Sequence, residues 1–101
     1  MIQNPRVGGV VIEELFVGNE KNSLSILVGN YRFLLVLYSN YAGKDFMRVG
    51  HVPIDKIKMD GSIFIGYDGG HTNPLSVSYA NEEVTFSPTY NGVIYAVYGI
   101  V

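Results

Sequence analysis

The chain has 101 residues, 48 % of them apolar and 16 % charged, with a net charge of −2 and no cysteine. That length holds one hydrophobic core, and the missing cysteine excludes disulfides, thiolate metal sites and a thiol nucleophile. No basic cluster offers itself to a phosphate backbone, and no apolar run nears the roughly 18–20 residues that cross a bilayer, so neither nucleic-acid binding nor membrane insertion is expected. Charged residues fall below the roughly 25 % of a typical domain, which points to a surface partly covered by a partner.

Residues 1–9 end in Gly8-Gly9 and read as a lead-in segment, with residues 10–101 forming a single domain. Residues 10–16 predict a first strand with Ile12 and Phe16 on one side, and Glu13-Glu14 breaks the alternation as an edge or a bulge does. Residues 18–22 (GNEKN) form a loop, and residues 23–28 a second strand with Leu24, Ile26 and Val28 together. Residues 31–39 (YRFLLVLYS) are the longest uncharged-core run before the C-terminus, of strand rather than helix length. Side chains alternate along a strand, so Tyr31, Phe33, Leu35 and Leu37 share one face and Arg32, Leu34, Val36 and Tyr38 the other, both largely apolar. Residues 45–52 predict a fourth strand, residues 53–58 a single helical turn or a short extended piece with Ile54 and Ile57 together, and residues 62–67 a further strand after Asp60-Gly61. Residues 68–74 (DGGHTNP) are the most loop-like stretch. Residues 75–79 and 84–87 alternate cleanly around a turn, as a hairpin with one wet face does. Residues 93–101 (VIYAVYGIV) again carry apolar side chains on both faces.

About eight short strands and no long helical periodicity predict an all-β fold, an antiparallel sandwich or barrel of jelly-roll type. The two doubly apolar strands belong in the middle of sheets. One face of each goes to the core, where Phe33 and Leu35 are expected. The other face needs a cover that so short a chain cannot supply from its own helices, which predicts an oligomer interface at Leu34, Val36, Ile94, Tyr95, Val97 and Tyr98. The alternative is cover by twist and long loops.

Catalytic chemistry is scarce. His51 sits in a strand-like run and reads as structural. His71 lies near Asp68, but two ligands are too few for zinc, and Asp68 with Asn73 is acid-poor for calcium. Glu13-Glu14 and Glu82-Glu83 are adjacent, so on strands each pair splits between faces, unlike the convergent carboxylates of a glycosidase. No GxSxG elbow and no nucleotide-loop context occurs. No enzyme activity, metal or cofactor is therefore expected, and recognition remains. Tyr41, Tyr67 and Tyr90 neighbour amides and carboxylates in polar loops, a combination that suits the apolar face and hydroxyl rim of a sugar. The candidate saccharide-binding residues are Tyr41, Tyr67, Asp68, His71, Asn73 and Tyr90. The competing view is of strand-end tyrosines that pack partly and wet their hydroxyls.

The order of segments also resembles the C-terminal head domains at the tips of phage and prophage tail proteins. The likeness is carried by ELFVGN at 14–19, NYRFLLVLYS at 30–39, RVGHVP at 48–53, the hairpin ending in VTFS at 84–87 and the closing YAVYGI at 95–100. The resemblance implies a non-enzymatic, host-adhesion β-sandwich, usually a homotrimer, at the tip of a tail fibre or baseplate protein of the virion. Its partners would be a host cell-surface polysaccharide and other tail or baseplate proteins. Other readings are a virion assembly module without a ligand and a carbohydrate-binding module of a secreted enzyme.

Overall fold

The computed structural model describes residues 6–7, 10–39, 47–66, 75–88 and 92–101. They form β1 (Arg6–Val7), β2 (Val10–Glu20), β3 (Leu24–Leu27), β4 (Phe33–Ser39), β5 (Met47–Pro53), α1 (Ile54–Asp60), β6 (Ser62–Ile65), β7 (Leu75–Ala80), β8 (Glu83–Ser87) and β9 (Val93–Ile100). Two antiparallel sheets pack face to face. The larger has the order β1-β2-β9-β4-β5 and the smaller β3-β8-β7-β6. The fold is an all-β sandwich, as the strand pattern predicts, with β4 and β9 side by side inside the larger sheet. Part of the expected lead-in is a strand, since Arg6 and Val7 pair with Val11 and Val10.

Local chemistry explains the connections. Asn81 and Glu82 both have positive φ (52° and 66°), the two-residue turn geometry whose twist matches a hairpin. Pro53 precedes α1 with φ −69°, and Gly61 ends it at φ 80° with its N–H donating to the Ile57 carbonyl. The helix buries Ile54 and Ile57 and plugs the space between the sheets.

The core is built in rows that the register defines. In the smaller sheet Leu24, Phe86, Val77 and Ile63 face inward side by side, with Ile26, Val84 and Tyr79 in the next row. In the larger sheet Leu34, Val36 and Tyr38 of β4 face them, flanked by Val52 of β5 and by Ile94 and Val97 of β9. Gly50 pairs with Val36 in this inward layer. A Cβ there would stand 2.7 Å from Ile65 Cγ2 and 2.9 Å from Val36 Cγ1. The bare backbone therefore lets β6 of one sheet approach β5 of the other.

This arrangement corrects the expected faces. Leu34, Val36, Ile94 and Val97, expected at an oligomer interface, are 0 % exposed in the single chain and belong to its core. Phe33 and Leu35, expected in the core, lie on the outward face and are half-buried. Ile94 and Val97 are three apart yet both point inward, because the register shifts between Leu37 and Tyr38. Leu37 pairs with Ala96 and Tyr38 with Ile94, leaving Tyr95 as the extra residue of a bulge. A second shift, between Glu14 and Phe16, turns Phe16 toward the core while Ile12 stays on the outward side. Of the expected interface residues, Tyr95 and Tyr98 remain half-buried and outside the core cluster.

These faces predict different costs for neighbouring truncations. Leu34→Ala empties a closed site and should destabilise by about 2–5 kcal/mol, while Leu35→Ala on the outward face should cost the single chain less than about 1.5 kcal/mol. Denaturant melts of the two variants check the assignment, and equal losses would overturn it.

Candidate recognition surface

The register places several chain exits at one end of the sandwich. In the larger sheet, β4 leaves at Ser39, which pairs with Met47 at the start of β5 and with Val93 at the start of β9. Glu20, the end of β2, pairs with Ile94. In the smaller sheet, Ile65 at the end of β6 pairs with Leu75 at the start of β7, and Ser76 pairs with Ser87 at the end of β8. Gly66 lies against the hydroxyl end of Tyr38, which brings the β6 exit to the end of β4. The Ser23 and Ser87 hydroxyls, 3.0 Å apart, tie the β2–β3 connection to the same end.

Tyr41, Tyr67, Asp68, His71, Asn73 and Tyr90 lie outside the described residues. Their anchors are described. Ser39, Met47, Gly66, Leu75, Pro88 and Gly92 are the residues between which these candidates run, and their strands converge as above. Strands sit roughly 4.8 Å apart within a sheet and sheets roughly 10 Å apart, so the six anchors lie within a few strand spacings of one another. The anchors are held firmly. Ser39 is buried with its Oγ 3.4 Å from the Tyr95 hydroxyl. Tyr38 is buried in the core, and that burial raises the pKa of its phenol while the nearby Arg48 lowers it. It therefore presents a neutral hydroxyl at the base of this end.

The opposite end is tied by backbone hydrogen bonds. The N–H of Val28 donates to Glu82, that of Ile54 to Arg32, that of Arg32 to Ile100, that of Tyr79 to Gly61 and that of Val101 to Val11. An open cleft of about 370 Å³ there is lined by Glu13, Gly29, Asn30, Tyr31 and Val101. Its polar pair is Tyr31 and Glu13, the phenol donating to the carboxylate. The Tyr31 ring covers Gly99, where a Cβ would fall 2.6 Å from the ring carbons. Burial, then the bond and charge of Glu13, push the Tyr31 pKa up from 10.0 to about 12. A phenol held protonated is a donor, so the pair acts as a latch between β2 and the segment that leads into β4. Tyr31 and Glu13 lie 18 positions apart, and nothing in their local sequence marks them as partners.

His51 is exposed on the outward face of β5 and stacks on Phe33, with ring centroids 4.8 Å apart. Among the described residues no group of three or more His, Cys, Asp or Glu side chains could hold a metal ion, and no helix is long and apolar enough to cross a membrane. No family model, no curated protein and no solved structure matches the chain.

The Tyr31 latch has a pH signature. A phenol whose pKa is higher folded than unfolded stabilises the fold fully below about pH 10 and loses that contribution as pH rises toward about 12. The stability gap between the parent and Tyr31→Phe should be constant from neutral pH to about pH 10 and shrink above it. Denaturant titrations across that range check this, and a gap that stays unchanged to pH 11.5 would remove the latch.

Proposed function

We propose that this domain is a non-catalytic recognition head of the kind found at the tips of phage tail fibres or baseplates, binding a bacterial cell-surface saccharide through the end of the sandwich where the anchors converge. The observation that carries this is the shared location of the Ser39/Met47, Gly66/Leu75 and Pro88/Gly92 anchors. Each pair bounds a segment with a tyrosine among amide or carboxylate neighbours. Rigid sheets that present loops at one end are the usual support for recognition residues. Tyrosine faces with polar partners match the two chemistries of a pyranose. One such site holds a sugar weakly, and a homotrimer would raise avidity with no new contact. In this reading the neighbours of the domain are other tail or baseplate proteins and its place is the virion.

A second reading, an assembly module of a virion or tail without a ligand, is favoured by a different observation. The outward face of the larger sheet is apolar, with Val17 62 % and Val49 68 % exposed.

Adsorption of the labelled protein to bacterial cells and to purified wall polysaccharides separates the two. The saccharide reading expects binding by the parent and its loss in Asp68→Ala, His71→Ala or Tyr67→Ala variants of unchanged circular dichroism. If the parent binds no polysaccharide, or all three variants bind as it does, the site is not at this end.

A further inference from the structure

The two outward faces of the sandwich differ in chemistry. On the smaller sheet the register aligns Ser25, Thr85, Ser78 and Ser62 in one row, Ser87, Ser76 and Phe64 in the next, and Leu27, Glu83 and Ala80 in a third. The Ser25 and Thr85 hydroxyls stand 2.8 Å apart. Hydroxyls dominate this face, and its exposed apolar side chains, Phe64 and Leu27, stand on its two edge strands, β6 and β3. On the larger sheet the outward rows run across β2, β9, β4 and β5. They read Ile12, Ile100, Phe33, Pro53, then Glu14, Tyr98, Leu35, His51, then Val17, Ala96, Leu37, Val49. Within these rows Glu14 is the only acid and His51 the only base, and both are exposed.

We infer that a second copy of this chain covers the outer face of the larger sheet, about an axis parallel to its strands, so that Glu14 of each copy meets His51 of its neighbour. The pattern of the rows is what selects a copy of itself. Among the described residues Glu14 and His51 stand at opposite ends of one row, and Val17 and Val49 at opposite ends of the next, since β1 pairs only at the level of Val10 and Val11. Rotation about an axis along the strands carries the β2 rim of one copy onto the β5 rim of the next at unchanged height. Carboxylate then falls on imidazole and valine on valine. Two copies stacked flat and three inclined around the axis make the same rim contact.

Three rows on four strands cover roughly 400 Å² in plan, about half of the roughly 800 Å² a side of a standard interface, which sets the association in the weak, concentration-dependent class. A patch of this size equals the largest that a typical monomer carries, which is often a functional contact surface. His51 stacked on Phe33 also gives the rim imidazole a fixed position. The inference does not depend on what the opposite surface or the anchor end binds.

Light scattering and sedimentation of the parent over about 1–100 µM, typical of protein association constants, should show more than one copy. Val49→Glu changes an exposed side chain, so it should fold as the parent does and run as a monomer. His51→Glu sets carboxylate against carboxylate and should weaken association about tenfold or more, and adding Glu14→Lys to it should restore most of that loss. The inference is overturned by a monomeric parent, by a Val49→Glu variant of parental mass, or by a double variant no better than His51→Glu alone. A monomer that still binds polysaccharide would sink this inference and leave the recognition reading standing.

Discussion

Two strands without a polar face, β4 and β9, lie side by side, and one extra residue decides which of their side chains meet the other sheet. Tyr95 is that residue. Below it Val97 pairs inward with Val36, and above it Ile94 pairs inward with Tyr38. Were the strand regular, Ile94 and Val97 would point to opposite faces. The core would then lose one large aliphatic side chain, worth about 1.5–3 kcal/mol of burial. The bulge therefore lets the strand serve one continuous core over its whole length.

From this pairing the rest follows. With Leu34, Val36, Ile94 and Val97 inside, the outward rows are left with Phe33, Leu35, Leu37, Tyr98 and Ile100, all half-buried along the sheet itself. Gly50 thins the inward layer of β5 so that Ile65 of the smaller sheet comes close. That contact and Gly66 against Tyr38 draw the β6 exit to the β4 exit. At the opposite end α1, the Asn81-Glu82 turn and the Tyr31–Glu13 latch close the core. The domain thus has a tied end and an end from which the aromatic-bearing segments depart. The proposed recognition rests on this division between a tied scaffold and the loops it presents.

Much of the fold was legible in the residues. Alternation in 75–79 and 84–87 marked the hairpin and its wet side, because Ser and Thr there alternate with Leu, Val and Phe. Ile54 and Ile57 marked the helical turn, and the doubly apolar runs marked the inner strands. The faces of those inner strands were not legible. When every side chain is apolar, polarity carries no information about which face is inside, so Phe33 and Leu34 are equivalent as letters. The breaks of register at Leu15 and Tyr95 then invert any face assigned by parity. The charge pair Glu13-Glu14 did signal the first of these, one residue early. Tyr95 carried no signal, since a bulge tyrosine in an apolar run looks like any other strand residue.

The sequence by itself determined that this is a one-core, all-β domain without thiol chemistry, with two strands meant for burial and a set of tyrosine-bearing polar segments between strands. Those are consequences of composition and period, which act locally. Only the tertiary structure decided which face of β4 and β9 is core, that Tyr31 latches to Glu13, and that the anchors of three separate segments meet at one end. It also decided that Glu14 and His51 share a row across four strands. Each of these depends on the pairing of residues far apart in the chain, where register, close backbone approach at Gly50 and Gly99, and the bulges act together. Such long-range pairing leaves no trace in the local order of residues.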